Sequence, residues 1–574
     1  MPNSTIPQIP NTQYLPYATD FHEVGRTGAS TKLPATFLPY TVATTAAMTA
    51  LSVSGIADKA MLLISNGASV GDFTGIFKYN AASVLAPNGT TIFAPDVGSG
   101  RWLQVLGATG AYDPAGSAAA AQAAAIAASL QKTANLSDVT STITAKNNLN
   151  FRVINVRDYG AVGNGIANDT TACQNAASAV TSNSVLYFPA GTYKITSAFG
   201  FASTTLQNVT ICGDGMSSRI LNDSGASGGN TCVIPYGCAR FEIYGLYWDG
   251  TSSVRGSGIH IRCGAGQSRI HHNYFRGCSD FAVHISGENS GYISNCQVSD
   301  NFFGASLGDG VHVGTATDCL VADNVCFGTG DDSLAAVADY PAYPPTRIQF
   351  VGNKVYNAGA AGSSGCGLRI CEGIDILAVG NQFITSVEAG IRVTRNGTTT
   401  PYSYNISLIG NTVRDSGSNG GQRGGIWLEW VSGCLVQGNS VGQLLSGNGI
   451  CFLDCFELVI DSNHVVNQNV RAIATDDSTT ANVANSWDRV FITDNVINLC
   501  TFEAIYINPA SGKTVGSLMI LGNKVERAAN GGGADYIFAN RLSGTVKIGN
   551  NTTLESKGIA FGGSGSTPTY FNNN

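Results

Sequence analysis

The second half of the chain repeats itself, and the repeat limits the fold more than any other feature. A unit of apolar residue, one or two small or polar residues, asparagine, any residue and a second apolar residue recurs. Examples are Val351–Val355 (VGNKV), Val379–Phe383 (VGNQF), Ile409–Val413 (IGNTV) and Leu521–Val525 (LGNKV). The asparagines stand at positions 273, 301, 324, 353, 381, 411, 439, 463, 495, 523 and 550, at intervals of 23 to 32 residues averaging near 28. Between them runs a second unit, seen in Gly258–Ile261 (GIHI), Gly310–Val313 (GVHV), Gly367–Ile370 (GLRI), Gly390–Val393 (GIRV) and Gly425–Leu428 (GIWL). Both units alternate with period 2, as strands do, and neither carries the 3.6-residue period of helical repeats. Short strands recurring at this interval cannot bury their inward faces alone, but stacked on copies of themselves they form a parallel β-helix. The repeated asparagine is expected at a corner, tolerating the left-handed conformation and bonding to the asparagines above and below it. With strands about 4.8 Å apart, the ten intervals make a rod roughly 50 Å long.

Composition excludes several function classes. Of 574 residues only 12% are charged, 43% are hydrophobic and 70 are glycine. That is ample for a core and too apolar for disorder, while the lack of any run of 18 apolar residues argues against a transmembrane helix. The net charge of −7 without a basic block argues against nucleic acid as a partner. The 15 cysteines include no CxxC pair and alternate with valine and isoleucine, which reads as buried reduced thiols. No His/Cys cluster has zinc spacing, and neither a metal nor another cofactor is expected. Asp476 and Asp477 are a turn pair rather than a calcium site. The first residues lack the basic-then-apolar pattern of a secretory leader.

Residues 1–115 read as a small separate β domain, with strands at Met61, Gly75, Thr91 and Arg101. Residues 116–150 read as a helical neck and linker, in which the alanine-rich run 117–130 suits close packing of several copies around an axis. Residues 151–560 are the expected solenoid, and 561–574 a C-terminal tail. Ahead of the repeats, Asp169 is placed to cap a helix whose Ala172, Ala176 and Val180 share one face. Such a helix would close the open end of the coil.

The stretch from Val156 to Ile195, with DYGAVGNG, NDT and FPAGTY in order, resembles the opening of pectate-lyase-superfamily proteins. The resemblance implies a right-handed parallel β-helix. Asn135–Val139 (NLSDV) and the alanine-rich neck are similar to the linkers of phage tail-fibre and tailspike proteins. Together they imply a phage tailspike depolymerase: a homotrimer on the virion tail, made in the host cytoplasm. The N-terminal domain would join the tail or baseplate, and the coil would bind and cleave capsular or O-antigen polysaccharide.

Side chains that alternate outward along the Gly-Ile-x-Ile strands form a column that includes His284, His312, Arg369, Arg392 and Trp427, a set suited to binding sugars or their carboxylates. Asp309 precedes one of these strands; Asp331 and Asp332 precede the next, one turn on. Three carboxylates about 5 Å apart along the axis cannot all ionise cheaply, so one stays protonated beside an ionised neighbour. Glycoside hydrolysis needs that pairing. The motifs at 308–310 (GDG) and 330–332 (GDD) resemble those of polygalacturonases, which implies that Asp309, Asp331 and Asp332 act as acid and water-activating base in an inverting hydrolysis. The histidine and lysine of that family are replaced here by Cys366 and Thr394, which argues against galacturonan as substrate. Glu372 and Glu429 are competing carboxylates on later turns. A polysaccharide lyase using a basic side chain, and a non-catalytic receptor-binding fibre, are the alternative readings.

Overall fold

The computed structural model describes residues 152–571 apart from 224–230, 251–257, 262–265, 279, 289–290, 361–363, 396–401, 419–422, 469, 476–485, 510–512, 529–535, 554–558 and 563–568, together with a few short segments before residue 108. The chain divides into two compact units, Met1–Ser141 and Thr142–Asn574. In the first, Tyr40–Val42, Met61–Ile64, Gly75–Asn80, Arg101–Gly107 and Ile92–Phe93 lie side by side, in that order, in one five-stranded sheet. The alanine-rich run and the pair Asp476–Asp477 lie outside the described residues. Among the described residues, no helix is long and apolar enough to cross a membrane.

The second unit is a coil of three long parallel sheets. One holds 14 strands, from Phe199–Gly200 to Ile559–Gly562; a second holds 15, from Asn164–Asn168 to Thr552–Thr553; the third runs from Val153–Asn155 to Thr569–Phe571. Each strand pairs in parallel with its equivalent one turn later, as Leu368–Cys371 does with Ile391–Thr394. The inward residues of every turn join one apolar core, within which rings stack along the axis: Trp248, Phe275 and Phe303 follow one another at 6.3 and 4.9 Å. All fourteen described cysteines are buried free thiols.

The asparagine ladder exists, with two corrections. Each side chain is buried inside the coil and donates from Nδ2 to the Oδ1 of the next asparagine, as Asn353 does to Asn381 at 2.9 Å and Asn381 to Asn411 at 3.0 Å. The last rung is Asn551, which accepts from Asn523, and not Asn550. The left-handed residue is also not the asparagine but the one before it: His272, Asp300, Asp323, Gly352, Gly380, Gly410, Gly438, Ser462, Asp494, Gly522 and Asn550 all have φ between 52° and 70°. That residue turns the corner, so the asparagine can point inward and bond a backbone carbonyl of the preceding turn, as with Phe350 O at 2.8 Å from Asn381 Nδ2.

The capping helix spans Thr170–Ser178 and buries Ala176, Ala177 and Cys173, with Ala172 packed at the margin. Asp169 does not cap it through its side chain. Its carboxylate instead accepts from the Val162 and Gly163 amides at 2.7 and 3.0 Å, pinning the preceding loop. Gln174 bonds the exposed end of the 14-stranded sheet, donating to Gly200 O at 2.8 Å and accepting from Gly200 N at 3.1 Å. A side-chain amide thus takes the place of a missing strand and blocks edge-to-edge pairing.

Candidate active site

The 14-stranded sheet carries the outward column. Backbone register places His260, His284, His312, Ala335, Arg369, Arg392 and Trp427 on successive strands at one level. Coiling brings Asp309, at the head of one strand, beside Asp331 and Asp332, which precede the next. Carboxylate oxygens of the three lie within 4.8 Å of one another. Asp309 Oδ1 accepts from the Asp332 amide at 3.1 Å, and Asp332 Oδ1 from the Cys366 amide at 2.7 Å. Cys366 occupies the position where the polygalacturonase pattern has histidine, and here its backbone does the work. Arg369 Nη1 stands 3.7 Å from Asp332 Oδ2.

Burial and, after it, the Asp309 charge push the Asp332 carboxyl up to about 7. The same two causes raise the half-buried Asp331. A carboxyl that holds its proton near neutrality is the condition for a general acid.

Sequence reasoning missed Asp339. It stands two residues beyond the strand Leu334–Val337, outside any repeat, so no periodic signal marked it. Its Oδ1 lies 3.1 Å from His312 Nε2 and its Oδ2 3.1 Å from His284 Nε2, with the Ser286 hydroxyl donating to Oδ2. His312 Nδ1 meets Asp309 Oδ2 at 2.8 Å. Burial works against the charged imidazole of His312, but bonds to Asp309 and Asp339 outweigh it and raise the group to about 10. For His284 burial wins and lowers the group. The Asp339 carboxyl, opposed only by its burial, is held well below the usual range by the two histidines.

Two members of the expected binding column are therefore covered by other side chains and do not line an open groove. His312 is 6% exposed and sits between two carboxylates, where it braces Asp309. Trp427 is 1% exposed and cannot cover a sugar ring; it lies under Arg392, whose guanidinium is 3.8 Å from the ring centre, and packs with Cys366 and Ala389. Arg392 bonds both oxygens of Glu388 at 3.0 Å and reaches Glu429 Oε2 at 3.4 Å. Glu429 also accepts from Thr394 Oγ1 at 3.2 Å. Glu388, a second residue missed from sequence, accepts from Cys366 Sγ at 3.4 Å, linking this cluster to the aspartates. Glu372 is buried at a left-handed position after its strand. Arg369, with about a third of its side chain exposed, is the open cation of the column.

A family model described as rhamnogalacturonase A/epimerase, pectate lyase-like, matches residues 153–240. Among solved structures, the pre-mature bacteriophage phi29 gene product 12 aligns over 75% of this chain and 57% of its own, with 13% identity and a TM-score of 0.51. The A-module of the Azotobacter vinelandii mannuronan C-5 epimerase AlgE6 aligns over 63% of this chain and 99% of its own, with 18% identity and a TM-score of 0.49. The enzymatically active domain of bacteriophage CBA120 tailspike protein 2 aligns over 72% of this chain and 55% of its own, with 16% identity and a TM-score of 0.38. No curated protein sequence matches the chain. Residues 153–240 thus match a pectate-lyase-like family model, and from residue 153 onward the described chain folds as a parallel β-helix.

Proposed function

We propose that this protein is a phage tailspike depolymerase that hydrolyses glycosidic bonds in bacterial surface polysaccharide, capsule or O-antigen. The observation that carries the reading is the aspartate trio, in which one carboxyl is protonated near neutrality. Asp332 is the general acid for the leaving oxygen. Asp309, held by His312 Nδ1 at 2.8 Å, is the partner that activates water, and Asp331 completes the water site. Arg369 orients the substrate beside them. The likeness in fold to a bacteriophage protein, the alanine-rich sequence at 117–130 and the linker-like sequence at 135–139 support a virion tail setting, with the N-terminal domain as the attachment to the tail and the chain as a homotrimer.

Hydrolysis is favoured over elimination because two of the three basic groups that a lyase would use, His312 and Arg392, are engaged, which leaves Arg369 as the base of the alternative reading. Both His312 nitrogens face carboxylates, and Arg392 is bonded to Glu388 and stacked on Trp427. Digestion of a panel of purified capsules tests the proposal: new reducing ends without ultraviolet-absorbing unsaturated sugars are expected, and Asp309→Asn and Asp332→Asn should each lower their release by roughly 10²–10⁴-fold. Unsaturated products would make the protein a lyase. Binding of capsulated cells with no shortening of any polymer would make it an adhesin.

A further inference from the structure

The cluster around Asp339 holds more than the depolymerase reading uses. His284 and His312 lie on adjacent strands at the same register, and Asp339 enters from the next turn. Their nearest nitrogen and oxygen atoms lie within 4.8 Å of one another. Both imidazole Nε2 atoms point at the same carboxylate, each 3.1 Å from one of its oxygens. Tetrahedral ligands bonded at 2.0–2.1 Å to one ion stand about 3.3 Å apart, and each imidazole already lies near that distance from one carboxylate oxygen, His284 Nε2 from Oδ2 and His312 Nε2 from Oδ1.

From these residues we propose that His284, His312 and Asp339 form a binding site for a divalent transition-metal ion of the zinc type. Three further features fit. His312 Nδ1 bonds Asp309 at 2.8 Å, the carboxylate–histidine arrangement that fixes the tautomer of a metal-binding imidazole. The Phe281 ring packs on both imidazoles, with centroids 4.6 and 4.2 Å away, and limits their rotation. A Cβ at Gly314 would lie 1.9 Å from Asp339 Oδ2, so only glycine leaves room for the carboxylate. Two imidazoles and one carboxylate, with Asp339 about one-fifth exposed, match the donor set of sites that keep a coordination position open. The donor set selects an ion that takes nitrogen ligands over calcium or magnesium, which prefer all-oxygen shells. This site stands whether or not the aspartate trio is catalytic.

The test uses the tag-free full chain, stripped with a chelator and dialysed, then titrated with zinc chloride by calorimetry and with cobalt(II) by visible absorption. One equivalent of zinc per chain is expected. His284→Gln and Asp339→Asn should each weaken binding by more than about 100-fold, and Asp309→Asn, which loses only the outer bond, by about 10–100-fold. The half-buried His271 and the exposed His272 form a separate cluster with Glu242; the double variant His271→Ala/His272→Ala should bind zinc as the wild type does. Thermal melts identify any variant that fails to fold, and Gly314→Ala, which leaves all three ligands in place but displaces Asp339, then serves as the second probe and should also lose binding. If the stripped protein takes up no stoichiometric zinc, or if the folded ligand variants bind it undiminished, the proposal is wrong.

Discussion

Asp332→Asn is expected to stabilise the protein in mild alkali while removing its activity. The Asp332 carboxyl is 4% exposed, and its rise from 3.8 to about 7 comes from burial first and the Asp309 charge second. At about 1.4 kcal/mol for each tenfold change in the proton equilibrium, that rise is on the order of 4 kcal/mol. The sign follows from proton binding. The folded state holds this proton more tightly than the unfolded chain, so the contribution is fully present below about pH 4 and is lost as pH climbs through about 7. Asparagine keeps an oxygen to accept from the Cys366 amide, bonded at 2.7 Å in the wild type, and has nothing to ionise. Loss of the Arg369 contact, 3.7 Å away and partly exposed, offsets only part of the gain. Denaturant unfolding of both proteins near pH 5 and pH 8 measures the effect: the stability difference should move in favour of the variant by about 2–4 kcal/mol between the two conditions. Reducing-end release should fall by at least about 100-fold. A stability difference that does not change with pH, or a variant that still cuts, would refute the assignment of Asp332 as a buried acid.

Asn381→Ala removes two donors and an acceptor that serves both the Asn353 amide and its side chain, leaving the buried Asn353 amide without its partner and breaking the ladder at one rung. The expected cost is about 3–5 kcal/mol, read from the denaturant midpoint. Arg369→Ala should raise KM more than it lowers kcat, as steady-state kinetics on a defined oligosaccharide will show, because Arg369 is the open cation beside the trio. Proton NMR of the first product should show inversion if a water held by the aspartates attacks. Retention would mean that one aspartate attacks the sugar carbon, the course ordinarily served by carboxyl groups about 5–5.5 Å apart.

The coil was legible because its register is written twice, in the asparagine interval and in the alternation of the Gly-Ile-x-Ile strands. Both recur often enough that no single position decides the reading. The aspartate trio was legible for the same reason: one turn of coil converts a separation of 23 residues into neighbouring carboxylates. What the sequence could not show is what lies above an outward side chain. His312 and Trp427 point away from the core as alternation requires, yet Asp339 and Arg392 close over them. Both covering groups depend on the path of one loop or on one rotamer, not on the repeat. Glu388 was missed likewise, lying in the turn before its strand.

That covering narrows what can touch a polysaccharide. Among the described members of the outward column, the long groups that remain partly open near the trio are Arg369 and Arg392, with 32% and 18% of their side chains exposed. Arg392 is already held by Glu388 and stacked on Trp427, so its position is set before any sugar arrives. His312 is similarly set by Asp309 and Asp339. A site whose charged groups are fixed by one another need not reorganise when charge develops in a bound substrate, which is the main source of electrostatic catalysis. The destabilising burial of Asp332 is tolerable because the core and asparagine ladder run past it in both directions. In a stacked fold each turn draws support mainly from its immediate neighbours, so the strain of one acidic turn is shared by well-formed turns on either side.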